Sequence, residues 1–110
     1  MNIDVNNKLY VGKSTKKKKR KIIKNIKNSK LQLGVFVIVI SDKEHEQLEI
    51  YPSYVLLQQY FKEKTMKVAG IAGSKEEAFE VVTDMVNDCQ KANQDCNLKR
   101  YLIGLKRKKG

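Results

Sequence analysis

Lysine and arginine crowd two short stretches of the chain, and the chemistry open to them is recognition of negative charge. Lys16, Lys17, Lys18, Lys19, Arg20, Lys21, Lys24 and Lys27 stand near the start, and Lys106, Arg107, Lys108 and Lys109 stand at the end. A lysine run meets phosphates as hydrated point charges rather than as paired, plane-matching bonds, so it positions a polyanion without reading it. These residues form the candidate polyanion-binding set. Residues 1 to 30 hold 11 basic side chains and one acid, Asp4; residues 31 to 98 hold 6 and 11; residues 99 to 110 hold 6 and none. The three segments carry +10, −5 and +6, so the net charge of +11 is a mildly acidic centre between two basic ends. Codon bias towards Lys, Ile and Asn would act along the whole chain, and it does not account for a centre with only 6 lysines.

Other constellations point less far. Gly12-Lys13-Ser14-Thr15 matches the end of a phosphate-binding P-loop, but the glycine needed five residues earlier is Asn7, and amides cannot wrap phosphates without it. Leu9-Tyr10-Val11-Gly12-Lys13-Ser14 resembles the second half of the GIY-YIG nuclease signature, yet too few residues precede it for the missing strand. His45, the lone histidine, lies among Asp42, Glu44 and Glu46 with no second nitrogen or sulfur ligand nearby, and reads as a solvated turn residue. Glu77, Glu80, Asp84 and Asp88 recur at helical spacing opposite an apolar stripe and read as a wet helix face rather than as acid–base machinery. Tyr10, Tyr51, Tyr54, Tyr60 and Tyr101 form no stacking ladder of the kind single-strand binders use. No catalytic, cofactor-binding or metal-ligating set emerges, and the expectation is a protein that is not an enzyme and carries no cofactor.

Positioning the basic ends requires a framework, and 110 residues with 41% hydrophobic content suffice for one small domain. Residues 1–7 read as a segment that can be disordered, 8–104 as one domain, and 105–110 as a basic tail. Lys8 to Val11 reads as a short strand. Ser14 or Thr15 then caps a basic helix over 15–30, with Ile22, Ile23 and Ile26 within an arc of about 100° on its inner side. Gly34 to Ile40 is β-branched and apolar on both faces, the composition of a central strand. Leu48 to Tyr51 is either its hairpin partner or an extended lead-in to Pro52, after which a helix is expected to Phe61. Met66 to Ala72 reads as a second buried strand. Ser74 and Glu77 form a capping box for a helix over 75–91, with Ala78, Val82, Met85 and Cys89 on its inner stripe, widened by Phe79, Val81 and Val86. Leu98 to Ile103 is expected as a final strand.

The pattern predicts an α/β fold: a single small layered domain whose mixed or mostly parallel sheet has about four strands with about three helices. Cys89 and Cys96, seven apart, fit no redox or zinc spacing and read as free thiols, in keeping with a cytoplasmic protein. No run of about 20 apolar residues is present to span a bilayer. The functional expectation is a small accessory protein that binds nucleic acid or another polyanion through its basic ends. The alternative is a protein-interaction module or homo-oligomer in which the basic helix meets the acidic face of helix 75–91.

Overall fold

In a computed structural model that describes residues 2–93 and 97–107, four strands and three α-helices follow one another. They are β1 (Asn2–Val11), α1 (Lys19–Lys27), β2 (Phe36–Ile40), β3 (Leu48–Pro52), β4 (Thr65–Ala72), α2 (Lys75–Asn93) and α3 (Leu98–Arg107). The strands form one sheet in the order β1-β4-β2-β3, with β1 parallel to β4 and the other neighbours antiparallel. This is the mixed, layered α/β domain that the alternation of elements predicts.

β2 is apolar on both faces because both faces are covered. Val37 and Val39 meet the α1 layer, where Ile22, Ile26, Leu56, Phe61, Met66, Val68 and Ile71 close the core. Ile38 and Ile40 meet the opposite layer, built from Ala78, Val81, Met85 and Cys89 of α2 and Leu98 and Leu102 of α3. Each such side chain contributes roughly 1.5–3 kcal/mol when fully buried, so the two layers hold the sheet from both sides. Gly70 of β4 lets α2 approach: a Cβ there would lie 3.0 Å from Met85 Cε and 3.2 Å from both Ile38 Cδ1 and the Tyr10 carbonyl.

Several boundaries differ from the sequence reading. β1 starts at Asn2 rather than Lys8, so residues 2–7, which the sequence leaves open to disorder, belong to the sheet. The cause is pairing: Asn2 to Val5 lie in parallel register with Thr65 to Val68. The ladder then breaks, and Asn6 to Leu9 stand opposite Ala69 alone before Tyr10 resumes pairing with Gly70. A bulge of this kind bows an edge strand outward and interrupts its free hydrogen-bonding edge.

The basic helix over 15–30 is shorter and two-part, a 3₁₀ segment from Lys13 to Lys18 followed by α1. Repulsion between like charges at i,i+4 along Lys16 to Lys21 disfavours a regular first α-turn. Thr15 is buried and its hydroxyl donates to the Gly12 carbonyl at 2.9 Å instead of capping a longer helix. The helix expected after Pro52 is two short 3₁₀ segments separated at Gln58, whose ψ of 151° is extended.

Leu98 to Ile103 is helix, not strand. Asn97 Oδ1 accepts the Arg100 amide at 3.1 Å, a capping bond at the start of α3, and Leu98 and Leu102 then share one buried stripe at i,i+4. Cys89 is a buried thiol in the α2 layer, and Cys96 lies outside the described residues. Among the described residues no helix is long and apolar enough to cross a membrane.

Candidate polyanion-binding surface

The apolar face of α1 is committed to the core through Ile22 and Ile26, and the same commitment turns its cations outward. Lys16, Lys17, Lys18, Lys19, Arg20, Lys21, Lys24 and Lys27 are all exposed. Among the described residues, ion pairs join Lys43 to Glu46 and Glu49 and Lys64 to Asp42, and none engages these eight.

α1 divides them between two grooves. Towards the sheet edge, Lys19, Arg20, Lys24 and Lys27 form the wall of a groove of about 670 Å³ whose floor is Val5 and Leu9 of β1 with Ile23. The β1 bulge makes this floor, since it carries Asn6 and Leu9 out of the regular ladder. On the other flank, Lys18 and Lys21 share a groove of about 420 Å³ with Leu33, Gly34 and Ser14. Lys16 and Lys17 line neither.

α3 reaches the same edge from the opposite face. α3 starts against the β2–β3 turn, where the Leu98 amide donates to Gln47 Oε1, and crosses to β1, where the Asn6 side-chain amide donates to the Leu102 carbonyl at 3.4 Å. Lys106 and Arg107 lie in its last turn, and Lys108 and Lys109 lie outside the described residues. α1 and α3 therefore pack on opposite faces of the sheet, and both reach β1.

The P-loop-like residues hold a carboxylate of the protein itself. β1 and β4 are parallel neighbours whose following helices pack on opposite faces, a switch point where α/β folds often place ligands. Here Glu77 fills it. Its carboxylate accepts the Ser14 amide at 3.1 Å, the Ser14 hydroxyl at 2.8 Å and the Gly73 amide at 2.7 Å. The Glu77 amide in turn donates to Ser74 Oγ at 3.0 Å, the expected half of the capping box. The returning arm bonds Gly73 rather than Ser74 and continues to Ser14, so one side chain ties the start of α2 to the start of the lysine run. Gly12 makes room for it, since a Cβ there would fall 2.1 Å from Glu77 Oε1.

Partial burial alone would push the Glu77 carboxyl up, but the bonds from Gly73 and Ser14 outweigh it and hold the group below the ordinary value of 4.5. A depressed carboxyl contributes stability that is complete above its unfolded pKa and is lost as pH falls through the folded one. Glu77→Gln is expected to cost about 1–2 kcal/mol at neutral pH, the low end for three charge-assisted bonds at a solvent-screened site. The wild type and variant should converge as pH falls through the depressed folded-state pKa of Glu77. Urea melts of the two proteins at neutral and acidic pH check this.

The acidic row of α2 is thus not uniform. Glu77 is engaged as described, and Asp88 accepts the Tyr10 hydroxyl at 2.7 Å. Burial first, and then that bond, push the Tyr10 phenol well above its usual range, so it stays protonated and donates to Asp88. Glu80 and Asp84 remain exposed with Glu76. His45 is exposed in the β2–β3 turn. Among the described residues no group of three His, Cys, Asp or Glu side chains can hold a metal ion.

The groove floor and the loop after α1 are absent from the sequence reading. In β1 the signal lies in Asn6-Asn7, which interrupts the apolar alternation of Ile3, Val5, Leu9 and Val11. In the loop it lies in Leu31 and Leu33, two apolar residues that flank a polar one.

Comparison with protein families, curated proteins and solved structures finds no match to this chain.

Proposed function

We propose that this chain is a non-catalytic, cytoplasmic accessory protein that binds nucleic acid through its basic ends. The observation that supports it is the wall of Lys19, Arg20, Lys24 and Lys27, four exposed cations aligned beside an open groove, with no acid paired to them among the described residues. A nucleic-acid backbone offers the matching partner, a regular line of phosphates. Three lysines and one arginine would neutralise that line without selecting a sequence. Lys106, Arg107, Lys108 and Lys109 at the chain end would add further cations to the contact. A non-catalytic role is favoured by the engagement of Glu77 and Asp88 in structural bonds and by the exposure of His45.

Fluorescence anisotropy with a labelled oligonucleotide tests the reading. With about five phosphates neutralised, log K against log[salt] should fall with a slope near −4 to −5, and scrambling the base sequence should change affinity little. Absence of binding to both DNA and RNA at low salt would sink it.

A further inference from the structure

The loop 28–35 presents two leucines to solvent and is tied down by side-chain hydrogen bonds. Ser29 and Gly34 adopt left-handed φ values of 56° and 75°, and Gln32 between them is held at both ends. Its side chain donates to the Ile22 carbonyl and accepts from Asn25, and its carbonyl accepts the Ser53 hydroxyl at 3.1 Å. Leu31 and Leu33 are left 65% and 78% exposed. Leu33 shares its groove with Lys18 and Lys21, so this flank of α1 is an apolar spot collared by positive charge.

The opposite layer carries the converse. Phe79, expected on the inner stripe of α2, is 53% exposed; Lys75, Glu76 and Thr83, one turn away on the same side, and Glu80, next in sequence, are exposed too. Among the described residues no ion pair engages Glu76, Glu80 or Asp84. The groove opens on the α1 side of the sheet and reaches the start of α2 only at Gly73, on the side where Glu77 bonds Ser14; Phe79 lies about 200° around the helix from Glu77.

We infer that the two patches meet between copies: Phe79, flanked by Glu76 and Glu80, enters the Leu33 groove of a second copy between its Lys18 and Lys21. The groove, at about 420 Å³, is ample for a phenyl ring, which a cavity of roughly 150 Å³ can hold. Charge steers the encounter and fixes orientation, while the apolar contact resists dissociation. Two different surfaces are joined, so the contact is head to tail and repeats into a ring or an open chain. The nucleic-acid wall faces the other flank of α1, which leaves it free in the assembly.

Sedimentation velocity on nucleic-acid-free protein tests this. Wild-type protein should assemble as its concentration rises, less so at high salt. Leu33→Ser and Phe79→Ser should each weaken association about tenfold or more, as loss of an interface anchor does. Both sites are exposed, and circular dichroism should report an unchanged fold. Mixing the two variants is the decisive arm: each keeps one intact surface, so the mixture should form a dimer and stop there. Lys21→Glu mixed with Glu80→Lys provides a second pair. A wild type monomeric at every concentration and salt, or variant mixtures that stay monomeric, would overturn the inference, whether or not oligonucleotide binds.

Discussion

Replacing Arg20, Lys24 and Lys27 together with glutamate is expected to weaken oligonucleotide binding at low salt at least about a hundredfold. It should also flatten the salt dependence by nearly three units of slope, about 0.9 for each phosphate that is no longer neutralised. All three side chains are exposed, and the core residues of α1, Ile22 and Ile26, are untouched, so the fold should survive. Three reversals take the net charge from +11 to +5, and net charge alone attracts a polyanion. The control is therefore a variant with the same charge change elsewhere, Lys67→Glu, Lys75→Glu and Lys91→Glu, at three exposed positions away from the groove. Anisotropy titrations at two salt concentrations separate the cases. If both variants lose affinity and slope equally, charge acts through the whole molecule and the groove has no special part.

The division of cations between groove and open surface is legible in the sequence only in part. Charge segregation and the apolar side of α1 are local patterns, and Ile22 and Ile26 are buried as their spacing requires. The capping box at Ser74 and Glu77 is equally local, and α2 begins at Lys75 accordingly. What the carboxylate of Glu77 does beyond its own helix depends on Ser14, 63 residues away, and no spacing rule reaches that far. The bulge of β1 is likewise a property of the pair, since it exists only in register against β4. Leu98 to Ile103 departs from expectation for another reason. Its apolar residues fit both periods, and Asn97, the capping residue that decides for helix, reads equally well as loop. Phe79 is expected inside because an aromatic on the border of an apolar stripe usually widens it. Here the inner face of α2 is already filled by Ala78, Val81, Met85 and Cys89, and the ring stays out.

That filled face is also where stability is most exposed to a single change. Met85 is fully buried in the α2 layer, and its methyl group lies over Gly70, the position at which β4 has no side chain. Met85→Ala removes the atoms that occupy this space. Neither neighbour can refill it: Gly70 has nothing to extend, and Ile38 is itself fully buried within β2, paired on both sides by β3 and β4. The expected cost is about 2–5 kcal/mol, a transfer term plus the cavity left behind. A domain of this size has only about 5–15 kcal/mol in total, so the melting temperature should fall by roughly 10 °C or more. Thermal melts followed by circular dichroism check the value, and a drop of under about 1 kcal/mol would mean that α2 settles onto the sheet and closes the gap. Below its melting temperature the variant should bind oligonucleotide as the wild type does, because the cation wall stands on α1, across the sheet from the cavity. Loss of affinity in a folded Met85→Ala protein would instead tie the groove to the packing of the opposite layer through β4, which both layers share.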